Sequence, residues 1–151
     1  MSTTDWQLDT QLMHGGFGPD ESTGATALPI AQSSAFAYRS AEELEAVFAG
    51  REPGYVYSRI ANPSVAAFEA RITALEAGLG AVAVSSGMAA ISSLALALAA
   101  SGDEIVAGSS LFGGTYALFR HTLSRYGIRV HFVDPTDPAA IGAAIGPATR
   151  L

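Results

Sequence analysis

The chain has 151 residues, 49% of them hydrophobic and 15% charged, with a net charge of −6. That length builds a domain with a core, and the apolar content excludes a disordered chain. The acidic balance argues against a nucleic-acid platform or an anionic membrane partner, and the absence of cysteine removes disulfides, thiolate metal sites and cysteine nucleophiles.

Residues 1–38 are rich in Gly, Ser, Thr and Pro and show weak periodicity. They predict an extended N-terminal arm, partly strand-like over 27–38, that needs another surface to lie on. No basic stretch followed by an apolar one opens the chain, so no signal peptide is expected and a reducing cytoplasm fits. Ser40 and Glu43 form a capping box that predicts a helix over 41–49, ended by Gly50. Residues 51–62 form a loop carrying Tyr55, Tyr57 and Arg59. Asn62-Pro63 is a helix start, and Val65, Phe68, Ile72 and Leu75 recur at helical spacing until Gly78.

From there the pattern alternates. It predicts a short buried strand over 81–84, a helix over 88–100, a strand over 104–107 and a helix over 114–126 closed by Gly127. A strand over 129–133 and a helix from Asp137-Pro138 to about residue 145 follow. Such alternation indicates an α/β domain, a mostly parallel sheet with helices on both faces. Residues 81–100 are apolar enough to raise a membrane span, but Ser85, Ser86, Gly87, Ser92 and Ser93 interrupt them and no basic flank anchors either end. The next strand is expected at 149–151, so the chain reads as the front part of a longer one. The division expected is an arm and loop over 1–60, then the first part of a larger domain over 61–151.

Three motifs carry chemistry. Val84-Ser85-Ser86-Gly87-Met88 runs from an apolar segment into a helix start, where unpaired N–H groups and the helix dipole favour an anion. An ordinary strand-to-helix turn with a serine cap has the same pattern. Tyr57-Ser58-Arg59 offers a planar cation for phosphate beside a phenol that can move a proton. A solvated surface arginine reads the same in isolation. Leu111-Phe112-Gly113-Gly114 places an aromatic ring at a flexible turn, where it can stack on a flat ligand or join the core. Taken together they fit a flat, phosphorylated aromatic ligand, for which pyridoxal phosphate is the plain candidate. His14, His121 and His131 lack ligand spacing, so no metal site is expected.

The strings Gly54 to Pro63, Val84 to Ile91, Gly102 to Ile105 and Ser110 to Tyr116 resemble the Cys/Met-metabolism family of pyridoxal-phosphate enzymes over nearly the whole chain. The stretches Leu111 to Phe119 and Arg125 to Asp134 resemble the branch that acts on O-acetylhomoserine. The resemblance implies the front part of the fold type I large domain. It implies that Ser86, Gly87 and Met88 hold the cofactor phosphate, the last two through backbone amides. It implies that Tyr57 and Arg59 reach the phosphate of a neighbouring subunit, in a homo-oligomer that is a tetramer. Phe112 stands where most members place a tyrosine that stacks on the pyridine ring. Without a hydroxyl there, Tyr57 becomes the stronger candidate for proton transfer. The implied activity replaces the γ-acetate of O-acetylhomoserine with sulfide or a thiol, giving homocysteine or methionine. Cystathionine γ-synthesis and methionine γ-elimination are the alternatives within the family. A non-catalytic split subunit or interaction module is the alternative of another class. All eight basic residues are arginine, so the lysine that bonds the cofactor in this family has no counterpart in residues 1–151. An aspartate for the pyridine nitrogen and an arginine for the substrate carboxylate are likewise expected further along. Residues 1–151 alone are therefore expected to be inactive.

Overall fold

The structure, a computed structural model, describes residues 6–20 and 22–151. The first five residues of the expected arm, and Glu21, lie outside the described residues. The chain divides into two compact units, Met1–Ala83 and Val84–Leu151.

In the first unit the arm contains a short helix, α1 (Leu8–His14), where an extended segment is expected. Its first turn has no side-chain cap. It is held from outside, by Arg71 of α3 (Pro63–Leu75). Arg71 Nη2 donates to the Met13 carbonyl at 3.0 Å, Nε donates to Gly15 O at 3.2 Å, and the guanidinium lies 4.5 Å from the Phe17 ring centroid. The helix α2 (Ala41–Phe48) forms as its capping box predicts, with Ser40 Oγ accepting from the Glu43 N–H. The Glu43 carboxylate reaches back one residue further than the motif implies, to the Arg39 N–H at 3.1 Å. At the end of α3 the left-handed residue is Ala77, with φ 48°, rather than the expected Gly78. The Gly78 N–H then closes the turn on the Thr73 carbonyl at 2.9 Å.

The expected strand over 81–84 does not form. Among the described residues this segment has no ladder partner, and Val82 is 84% exposed. Its one anchor is a hydrogen bond from Ala83 N to Glu69 Oε1 at 2.7 Å. A strand exists only where a neighbour accepts its backbone groups, and apolar patterning alone cannot supply one.

In the second unit, α4 (Gly87–Leu98) leads to β1 (Glu104–Gly108). A continuous helical run follows: α5 (Gly113–Ala117), a π turn over Leu118–Thr122 and α6 (Leu123–Arg125). Then come β2 (Arg129–Val133) and α7 (Pro138–Ala144). β1 and β2 pair in parallel with Ile105 opposite Val130 and Ala107 opposite Phe132. Because side chains alternate along a strand, this register puts all of these on one face. That face meets Ala95, Ala99, Phe119, Leu123 and Ile128 to make the core. The opposite face carries Val106 and Val133 and, at one end, Glu104 paired to Arg129 and, at 3.1 Å, to His131 Nε2. The end of the chain lies along the other edge of β1. Glu104 N–H donates to Ala148 O at 2.8 Å, Arg150 N–H to Glu104 O at 2.9 Å, and Val106 N–H to Leu151 O at 2.9 Å. A further parallel pairing therefore begins where the next strand is expected.

The expected helix over 114–126 starts one residue earlier and is interrupted by the π turn, which sits over the core side chains Phe119 and Leu123. Gly127 ends it in the left-handed region, with φ 76°. Among the described residues, every buried hydrophobic side chain belongs to this second unit. No described helix is long and apolar enough to cross a membrane.

Candidate functional site

The second unit brings Ser86, Gly87, Met88 and Phe112 together. Ser86 is the N-cap of α4, and its Oγ accepts from the Ala89 N–H at 3.1 Å. The Ser86 carbonyl takes the Ala90 N–H at 3.0 Å. The N–H groups of Gly87 and Met88 have no acceptor among the described residues. They are the free donors at the positive end of a helix whose first turn carries no acidic side chain. A Cβ added at Gly87 would meet nothing within 4 Å, so an anion has open approach to these amides. The residues present therefore fit a phosphate group.

Phe112 holds the N-cap position of α5, directly after Leu111, and makes no side-chain cap hydrogen bond. Leu111 packs against the core, whereas the Phe112 ring is turned outward and 76% exposed. A methyl group at Gly114 would stand 2.9 Å from Phe112 Cε1 and 3.4 Å from Met88 Sδ. The ring and the methionine sulfur thus converge over the bare Cα of Gly114. Thr115 is buried and its Oγ1 donates to Met88 Sδ at 3.6 Å. An exposed aromatic face stands beside unpaired helix-start amides, which is what a flat ligand with a phosphate tail requires.

Tyr57 and Arg59 form a separate pair in the first unit. The loop that carries them is tied to the arm by an antiparallel bridge between Ala35 and Tyr57. Phe36 N–H donates to Val56 O at 3.2 Å, and Ser58 N–H to Ser34 O at 2.9 Å. The Tyr57 carbonyl accepts from Ile60 N–H at 2.8 Å and Ala61 N–H at 3.1 Å, which turns the chain and leaves both side chains exposed. Arg59 lies over the Tyr57 ring at 5.3 Å. Asn62 is buried and does more than cap α3. Its Oδ1 accepts from Ser64 N–H at 2.9 Å, while its Nδ2 donates to Ala31 O at 3.0 Å and Ser58 Oγ at 2.9 Å. One amide therefore fixes helix, loop and arm together. The sequence signals its cap role only, because Ala31 is 31 residues away and the contact with Ser58 depends on how the loop turns.

Gly114 and Thr115 were also outside the expected set. The Gly-Gly pair is expected to make a flexible turn beside the aromatic, whereas Gly114 has no positive φ and matters by the close approach of Phe112 and Met88. His121 is exposed on the helical run and His131 lies in β2, whereas His14, expected in a turn beside Gly15-Gly16, is the last residue of α1. No group of three or more His, Cys, Asp or Glu that could hold a metal occurs among the described residues.

Comparison with known proteins gives these features a context. A family model described as Cys/Met metabolism PLP-dependent enzyme matches residues 9–151. The chain is 48% identical over 146 residues to an O-acetyl-L-homoserine sulfhydrylase of Corynebacterium glutamicum, covering 96% of this chain and 33% of that protein. It is 42% identical over 144 residues to an L-methionine gamma-lyase of Pseudomonas deceptionensis, covering 95% of this chain and 36% of that protein. A crystal structure from Campylobacter jejuni, assigned as an O-acetylhomoserine (thiol)-lyase and containing N'-pyridoxyl-lysine-5'-monophosphate, superposes with a TM-score of 0.88 at 30% identity. That match covers 96% of this chain and 36% of the other. The chain thus spans about a third of the length of the curated relatives it matches. With the family model matching residues 9–151 and relatives this similar in sequence and fold, the chain belongs to the Cys/Met-metabolism family of PLP-dependent enzymes.

Proposed function

We propose that these residues are the cofactor-gripping N-terminal portion of a transferase that makes homocysteine or methionine from O-acetylhomoserine and sulfide or a thiol. The observation that carries the reading is the convergence of Phe112 and Met88 over Gly114, beside the unpaired amides of Gly87 and Met88. In this reading those amides and the Ser86 hydroxyl bind the cofactor phosphate, and Phe112 covers one face of the pyridine ring. The bound cofactor supplies an electron sink for γ-replacement. Residues 1–60 serve as an arm and inter-subunit loop, so that Tyr57 and Arg59 act on a neighbouring subunit of a tetramer, in the cytoplasm. Arg59 adds charge-assisted hydrogen bonds to the phosphate, and the Tyr57 phenol carries a proton at its Oη. Phe112 cannot share that task because it has no ionisable group.

The high identity to a sulfhydrylase supports γ-replacement, and the identity to a methionine γ-lyase supports elimination as the second reading. Turnover of the full-length protein decides between them. Faster consumption of O-acetylhomoserine with sulfide than of methionine alone is expected, and the reverse order would overturn the assignment. Residues 1–151 hold no lysine, and arginine stays protonated and does not replace it as a nucleophile. Borohydride reduction of this segment with pyridoxal phosphate is expected to leave no adduct on any side chain.

A further inference from the structure

We propose that Gly114 and Thr115 are positioning residues that fix the Phe112 ring against the start of α4. The proposal rests on the reading of Phe112 as the stacking face for the cofactor.

The two glycines after Phe112 are not equivalent. A Cβ added at Gly113 would meet nothing within 4 Å. A Cβ added at Gly114 would lie 2.9 Å from Phe112 Cε1, 3.3 Å from Phe112 Cδ1 and 3.4 Å from Met88 Sδ. The first of these is too close, and because Cε1 is the far end of an exposed side chain, an alanine there displaces the ring. Gly114 has no left-handed φ, and the turn does not need its conformational freedom. What the site needs is the missing Cβ. The ring is largely exposed and no core wall holds it, so contact with Gly114 decides where it stands.

Thr115 acts on the other partner. Its side chain is buried at 5% relative exposure, and its hydroxyl donates to Met88 Sδ. Met88 is also the residue whose backbone N–H points out of the helix start. The hydroxyl thereby couples the first turn of α5 to the first turn of α4. Gly114 sets the ring and Thr115 sets the helix start, from adjacent positions of one turn.

A purely structural role makes the opposite prediction for glycine. Alanine is favoured over glycine in a helix, at Gly113 and Gly114 alike. If only helix stability mattered, both alanine variants would hold the cofactor at least as well as the wild type.

The experiment uses the full-length holoenzyme and reads the visible circular dichroism of the bound cofactor and its dissociation rate. Gly114→Ala is expected to change the dichroic band and to speed cofactor loss about two- to tenfold, as Phe112→Ala does, which is the worth of an aromatic stack. Gly113→Ala is expected to match the wild type. Thr115→Val, which keeps the shape without the donor, is expected to shift the band, and Thr115→Ser to restore it. If Gly114→Ala and Thr115→Val both match the wild type while Phe112→Ala does not, the inference is overturned and the stacking reading stands. If Phe112→Ala also has no effect, the stacking reading falls and the inference falls with it. Should Gly114→Ala fail to fold, the Thr115 pair decides alone.

Discussion

The guanidinium of Arg59 lies over the ring of Tyr57, 5.3 Å from its centroid. The contact keeps a cation and a phenol aimed together from one exposed turn. Replacing Arg59 with alanine in the full-length protein is expected to weaken cofactor binding by about tenfold to a hundredfold, the worth of a charge-assisted hydrogen bond. In mixed dimers the loss should appear in the subunit opposite the mutation. A defect confined to the mutated subunit would contradict a shared site.

Ser86 holds the first turn of α4 by accepting the Ala89 N–H. Ser86→Ala removes that cap and is expected to cost about 1 kcal/mol of stability. It also removes the hydroxyl proposed to bind the cofactor phosphate. Urea unfolding should show the first effect in the cofactor-free protein, and cofactor titration the second.

Ile105 is 1% exposed at the centre of the core face. Ile105→Ala is expected to destabilise the protein by about 2–5 kcal/mol through lost burial and a residual cavity. A loss of unfolding free energy, read from urea curves, well below that range would mean that the helices close over the gap.

Ala77 sits at φ 48°, a conformation that glycine adopts without strain. Ala77→Gly is expected to stabilise the end of α3 by about 1 kcal/mol. Ala77→Val should do the reverse, and both are read from the same unfolding curves.

Asp103 and Asp134 set a pH limit. The Ala100 N–H holds the Asp103 carboxyl below its ordinary value, aided by Arg150 and opposed by burial. The Thr136 hydroxyl and N–H do the same for Asp134. A carboxylate with a lower pKa folded than unfolded contributes stability above the unfolded value and loses it as pH falls through the folded one. Stability should therefore decline below about pH 4. Asp103→Asn should lessen that decline when unfolding midpoints are compared at neutral and acid pH.

Much of this was legible in the sequence because local chemistry decided it. Ser40, Asn62, Ser86 and Asp137 all cap helices through their own side chains. β2 spans the expected residues because its alternation matches the face it buries. What was missed depends on remote partners. α1 exists because Arg71, far along the chain, takes its last carbonyls. Residues 81–84 look like a strand and lack a neighbour among the described residues. The π turn inserts extra helical phase between Leu118 and Thr122, and apolar spacing reads much the same with or without it. At the site, residue types named Phe112 and Gly87, but only coordinates separate Gly114 from Gly113.

The two edges of β1 also imply an order in time. Arg129 lies nearer to Glu104 in sequence than Thr149 does, so pairing with β2 closes the shorter loop and is favoured first. As the chain leaves the ribosome, α4, β1 and β2 can assemble before residues 148–151 emerge. The Phe112 and Met88 face would then be laid down while one edge of β1 still waits for its partner. That interval is when an unpaired strand edge is open to the wrong neighbour.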